Sequence, residues 1–186
     1  TRITFTPNYS FQQFVGAYKP TPIYKDINNP NFTLYEENNT VELPKQREPI
    51  INYSFVPGVF INMLVRAKEN KKDNYLILIE EINRANVSAV FGAAFQLLDR
   101  NENHESEYGV EFNKDVTTYL IDKGILTKDD LKIKIPSNLF LWSTMNNADQ
   151  GVLPLDSAFK RRWSFEYISL NENEENVSSW IINFGL

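Results

Sequence analysis

Tyr75–Leu76–Ile77–Leu78–Ile79–Glu80–Glu81–Ile82–Asn83–Arg84–Ala85–Asn86 runs from an apolar segment through two acids into a helix start. The run Tyr75 to Ile79 has strand length, and its unbroken apolar character suits a parallel strand buried on both faces. Two acids then stand at the strand's carboxyl end, where open α/β sheets bind their ligands. In a nucleotide hydrolase the first acid holds Mg²⁺, often through water, and the second orients or deprotonates the attacking water. Neighbouring strand residues point to opposite faces, which suits two acids with two jobs. Taken alone, the same pattern also fits a buried strand followed by a solvated acidic turn. Asn86 is placed to cap the next helix. Val87, Val90, Phe91, Ala94 and Leu98 mark that helix's buried face.

A second strand of the same kind is Leu139–Phe140–Leu141–Trp142–Ser143–Thr144, followed directly by Met145–Asn146–Asn147–Ala148–Asp149. If the two strands are parallel neighbours, Asn146 shares a sheet edge with Glu80 and Glu81. There its amide can hold a water or a phosphate oxygen, or simply form an Asx turn. Residues Asp156 to Arg162 read as a short helix ending in Lys160–Arg161–Arg162–Trp163. Guanidinium groups can neutralise charge on a transferred phosphoryl group, although basic residues also suit any helix C-terminus. Ser164 to Ile168 reads as a further strand.

Upstream, Ile3 to Thr6 reads as a short strand, and a helical turn starts at Ser10. Five prolines between Lys19 and Pro49 mark a long loop or hairpin insertion. Ile51, Tyr53 and Phe55 alternate with polar residues, as in a strand. After Pro57–Gly58, the spacing of Phe60, Met63, Leu64 and Ala67 predicts an amphipathic helix. Residues 101–134 are polar and read as a second surface insertion. Strands alternating with helices argue for a three-layer α/β domain.

Hydrophobic residues make up 42% and charged residues 23%, an ordinary globular composition. A net charge of −5 provides no global field for a nucleic acid backbone. With no cysteine and one histidine, thiolate zinc sites, disulfides and histidine metal sites are excluded. The apolar runs are too short to span a bilayer. The opening Thr1–Arg2–Ile3–Thr4 lacks the regions of a signal peptide. The chain therefore reads as part of an intracellular, cytoplasmic protein, a fragment or a processed product.

Taken together, the order of these motifs resembles the AAA+ core of the McrB family, the GTP-driven subunit of modification-dependent restriction systems. Glu80 to Asn86 looks like that family's Asp-Glu-Ile-Asn-Arg-Ala-Asn Walker B segment, and Met145 to Asp149 like its Met-Asn-Thr-Ala-Asp signature. Asp156 to Trp163 resembles its Asp-x-Ala-Leu-Arg-Arg-Arg-Phe helix. Phe5 to Gly16 is similar to its Phe-His-x-Ser-Tyr-Ser-Tyr-Glu-Asp-Phe stretch. The MoxR group shares the Glu-Ile-Asn-Arg-Ala element without the Met-Asn-x-Ala-Asp one.

The resemblance implies an AAA+ P-loop NTPase-like three-layer sandwich with a mainly parallel sheet. Residues 1–170 would form a partial hydrolase core, with insertions at about 19–50 and 101–135. An acidic stretch, 171–186, would lead toward a following element. Glu80 would be the Mg²⁺-side acid, Glu81 the catalytic glutamate and Asn146 the sensor. Arg161 and Arg162 would be exposed arginine fingers or sensors, and Asp149 part of the nucleotide-facing signature loop. Mg²⁺ with GTP or ATP would be the cofactor. A homo-oligomeric ring, a McrC-like nuclease subunit and DNA held through other domains would be the partners.

Four departures stand out. Glu80 occupies an Asp position, Asn147 a Thr position, Lys160 an Arg position and Gln150–Gly151 an Arg-Ser position. No Gly-x-x-x-x-Gly-Lys-[Ser/Thr] loop occurs in the 186 residues. The expected sheet therefore lacks its first strand, which belongs between the Leu139–Thr144 and Ser164–Ile168 strands. Two other readings stand beside the motor: a degenerate AAA+-like scaffold without hydrolysis, and a MoxR-like chaperone ATPase.

Overall fold

The computed structural model describes residues 1–26, 34–35 and 47–168. The acidic stretch 171–186 and much of the first insertion lie outside these residues. A three-stranded parallel sheet runs in the order β1 (Arg2–Thr4), β5 (Tyr75–Glu80), β6 (Leu139–Ser143). A second, antiparallel sheet joins β2 (Gly16–Asp26) to β3 (Leu34–Tyr35) and β4 (Arg47–Pro57). The helices are α1 (Phe11–Phe14), α2 (Val59–Glu69), α3 (Val87–Phe91), α4 (Lys114–Asp122) and α5 (Ser157–Lys160). None of the described helices is long and apolar enough to cross a membrane.

The first insertion is wider than its proline-rich stretch suggests. β2 and β4 pair over eleven residues each, from Gly16↔Pro57 to Asp26↔Arg47. The alternating Ile51, Tyr53 and Phe55 therefore belong to this arm and not to the main sheet. Two glycines splice the arm between α1 and α2. At Gly16 (φ 133°) a Cβ would lie 2.5 Å from the Phe55 ring. At Gly58 a Cβ would meet the Phe14 carbonyl oxygen at 2.4 Å. The Gly58 N–H donates to the Val15 carbonyl at 2.9 Å, so the chain returns almost to the point where it left.

A line of aromatic rings forms the centre of the core. Phe14 packs on Phe60 and Phe91 with centroids 5.4 and 4.7 Å apart, and Phe91 meets Phe159 at 5.7 Å. Phe159 in turn stacks on Trp163 at 5.5 Å. The rings connect α1, α2, α3 and α5 and fix α5 relative to the strands beneath. The helix face read from Val87 to Leu98 is buried throughout, but it is built as α3 followed by a 3₁₀ segment, Gly92–Leu98. Arg100 anchors the second insertion: its guanidinium donates to the carbonyls of His104, Ile135, Pro136 and Leu139 at 2.8–3.3 Å. Burial lowers its pKa from the ordinary arginine value.

Two expectations are corrected. β5 is buried on one face only: Ile77 and Ile79 are fully buried, whereas Leu76 and Leu78 are half-buried. Their register partners Phe140 and Trp142 are 42% and 63% exposed, so this face has no cover among the described residues. Ser164 to Ile168 is not a strand, and Phe165, Tyr167 and Ile168 stand exposed. A strand needs a neighbour to satisfy its backbone, and none pairs with this segment among the described residues. Among the described residues the sheet ends at β6, and with no strand at Ser164 to Ile168 the expected gap has no far side.

Asn138, at the entry to β6, is nearly buried. Its Nδ2 lies 2.9–3.1 Å from the carbonyl oxygens of Ala67, Asn70 and Asp73, and its own carbonyl accepts from the Tyr75 N–H. Asn138→Ala strips these carbonyls of their donor and is expected to cost about 1–3 kcal/mol. A lowered urea midpoint checks this.

Candidate functional site at the carboxyl end of the parallel strands

β5 and β6 run parallel, so the segments that follow them emerge at the same end of the sheet. The two exits are stitched together. The Thr144 N–H donates to the Ile79 carbonyl at 2.9 Å, and the Ile82 N–H donates to the Thr144 carbonyl at 3.0 Å. Asn83, 1% exposed, donates from Nδ2 to the Asn146 carbonyl at 3.0 Å. Its backbone carbonyl accepts from the Leu153 N–H at 2.7 Å. Glu81 leaves the strand with φ 54° and ψ 45°, a left-handed conformation uncommon for a side-chain-bearing residue. A 3₁₀ turn, Ile82–Arg84, follows. Asn86 then caps α3, accepting from the Ala89 N–H at 3.1 Å.

The two acids have different partners. Glu80 lies on the uncovered face beside β1, where Arg2 Nη2 donates to it at 2.5 Å and Thr4 Oγ1 at 3.2 Å. The hydrogen bond from Arg2 is the main cause holding its carboxyl below the ordinary pKa. Glu81 accepts from Arg84 Nε at 3.0 Å, and Arg84 Nη2 donates to Asp149 at 2.5 Å. The other Asp149 oxygen accepts from Asn146 Nδ2 at 3.0 Å. Asn146 Oδ1 in turn accepts from the Ala148 N–H at 2.9 Å, the Asx turn that its sequence also allowed. The hydrogen bond to Glu81, then that to Asp149, raises the Arg84 pKa.

Glu81, Asn146 and Asp149 thus meet at one end of the sheet through Arg84, with Glu80 at the same end on the β1 side. Mg²⁺ keeps several waters and takes one or two carboxylates together with substrate phosphates. A single half-exposed carboxylate such as Glu80 fits that mode once Arg2 yields it. Among the described residues no cluster of His, Asp and Glu could form an all-protein cage.

The two arginines that follow α5 part company. Asp156 caps this helix, accepting from the Phe159 N–H at 2.6 Å. Arg161 is exposed. Arg162 is not, contrary to expectation: its side chain is 8% exposed and paired with Asp99 at 2.8 Å. It also lies 4.2 Å from the Phe95 ring centroid and donates to the Ala158 carbonyl at 2.8 Å. The turn that closes α5, with the Arg162 N–H donating to the Phe159 carbonyl at 3.1 Å, leaves Arg161 in solvent and lays Arg162 on the core. Sequence reading takes Asn83 and Arg84 only as part of a strand-to-helix joint. It gives no reason to single out Arg2, because the Glu80 contact depends on the Thr4↔Glu80 register.

A parallel sheet with acids and an amide at its carboxyl end is the architecture of the P-loop NTPase-like class. A family model described as AAA domain (dynein-related subfamily) matches residues 35–163, and the chain belongs to that family. It is 54% identical over 180 residues to the type II restriction enzyme BsuMI component YdiS of Bacillus subtilis (strain 168). It is 23% identical over 181 residues to the type IV methyl-directed restriction enzyme EcoKMcrB subunit of Escherichia coli (strain K12). Each match covers 97% of this chain, but the chain spans only 51% of the first relative and 31% of the second.

Proposed function

We propose that this chain is the hydrolytic part of a nucleoside-triphosphate-driven motor subunit that couples GTP or ATP hydrolysis to DNA restriction. The observation that supports this most is the meeting of Glu81 and Asn146 at one sheet end, in an AAA domain whose relatives carry restriction-enzyme names. In this reading Glu81 orients and deprotonates the attacking water, and Asn146 holds that water or the terminal phosphate. Mg²⁺, bound to the nucleotide and assisted by Glu80, would neutralise charge on the phosphates. Arg161 would reach the nucleotide of a neighbouring subunit in a homo-oligomeric ring, while Asp149 sets the nucleotide-facing loop. The phosphate-binding loop would come from polypeptide beyond these 186 residues, so the segment alone is expected to be inactive. A McrC-like nuclease subunit and DNA held by other domains complete the proposed assembly.

A second reading, a scaffold without hydrolysis, draws on Glu80: it replaces the expected Asp and is engaged by Arg2 and Thr4. Phosphate release by the full-length protein separates the two. Mg²⁺-dependent release from GTP or ATP is expected, and the ratio between the two nucleotides defines the preference. Nucleotide binding without release from either, with and without the nuclease subunit, would establish the scaffold instead.

A further inference from the structure

We propose that Arg84 is a positioning residue that locks the catalytic acid and the sensor loop into one hydrogen-bonded unit, an inference that rests on the hydrolase reading. Four side chains form a continuous chain, Glu81–Arg84–Asp149–Asn146, with contacts of 3.0, 2.5 and 3.0 Å. Its ends come from two loops that follow different strands, with Arg84 and Asp149 separated by 65 positions in sequence. The floor beneath is already fixed by Asn83, so Arg84 is not needed to bring the two loops together. What it supplies is the direction of two carboxylates.

Glu81 needs that constraint. Its left-handed backbone turns it out of the strand direction, and its side chain is a third exposed, free to rotate without a partner. The 3₁₀ turn returns Arg84 to Glu81 three residues later, with the Arg84 N–H donating to the Glu81 carbonyl at 2.9 Å. The guanidinium is planar and donates in two directions at once, through Nε to Glu81 and through Nη2 to Asp149. A lysine ammonium on a flexible stem holds only one such geometry firmly. With Arg84 45% exposed, its two ion pairs contribute little to stability. Their effect is therefore orientation, and displacing a reacting group by about 1 Å can cost roughly 10²-fold in rate.

The test uses the full-length protein, with GTP and ATP as substrates. Arg84→Ala is expected to lower kcat by roughly 10- to 100-fold, with KM and the thermal midpoint almost unchanged. Arg84→Lys should recover part of the loss. Asp149→Asn should act in the same direction as Arg84→Ala, which gives a second variant if the first folds poorly. In a Glu81→Gln background, Arg84→Ala should add no more than about a twofold change, because it acts through Glu81. A further tenfold loss in that background overturns the proposal, as does a rise in KM that accounts for the whole effect. Unchanged kcat in Arg84→Ala beside an inactive Glu81→Gln overturns it while leaving the hydrolase reading intact. An active Glu81→Gln removes the catalytic role of Glu81 and the proposal with it, while nucleotide hydrolysis itself stands.

Discussion

Replacing Arg161 with alanine in the full-length protein is expected to slow nucleotide turnover by roughly 10³- to 10⁵-fold, the range supplied by charge-stabilising arginines in phosphoryl transfer. Arg161 is exposed directly after α5, and in the proposed ring it would face a neighbouring subunit's nucleotide. Arg162→Ala is expected to fail differently. Its loss removes the Asp99 pair and the packing on Phe95, at about 1–3 kcal/mol, because Asp99 is a third exposed and rehydrates. A lowered thermal midpoint with turnover retained below it is the expected signature. Mixing Arg161→Ala with Glu81→Gln subunits should restore part of the activity, since an intact arginine and an intact glutamate then meet at some interfaces. Turnover should also rise with protein concentration as rings form. Concentration-independent turnover and no rescue on mixing would mean that Arg161 acts within one subunit or only in structure.

Glu81→Gln is expected to keep nucleotide binding and to lower kcat by about 10²- to 10⁴-fold, the usual contribution of a positioned general base. Glutamine has nearly the same shape and still offers an oxygen to Arg84, so the fold and the Arg84–Asp149 contact should persist. Nucleotide affinity measured beside single-turnover hydrolysis separates the two steps. Unchanged turnover would remove Glu81 from the catalytic role. Glu80→Gln provides a contrast: its weakened hold on Mg²⁺ should appear as a higher Mg²⁺ requirement, with kcat recovering at high Mg²⁺.

The parallel core was legible in the sequence because its signals are local. Tyr75 to Ile79 and Leu139 to Thr144 are continuous apolar runs of strand length, and the acids and amides that follow them are adjacent in sequence. Asn86 as a cap and the buried face from Val87 to Leu98 follow from residue type and spacing. The misreadings share a different cause. The continuous run in β5 suggests burial on both faces, but burial also depends on what packs above Leu76 and Leu78. Ser164 to Ile168 has the composition of a strand and no partner strand among the described residues. Arg161 and Arg162 are identical in type, and only their position in the turn after α5 separates a solvent-facing guanidinium from one packed on Phe95. The Arg2–Glu80 and Arg84–Asp149 contacts link residues 78 and 65 positions apart and depend on strand order, which no local pattern records.

The arm formed by β2 and β4 also bears on how such a chain can diverge. Because Gly58 returns to within a hydrogen bond of Val15, the ends of the insertion are fixed whatever lies between them. The entropy of closing such a loop grows only with the logarithm of its length, about 0.6 kcal/mol for each doubling. Lengthening, trimming or exchanging the arm beyond its base therefore places almost no strain on α1, α2 or the strands that lead into Glu81 and Asn146. The arm is a position where new surfaces can be tried at little risk to the candidate site, provided that Gly16 and Gly58 remain at the junction.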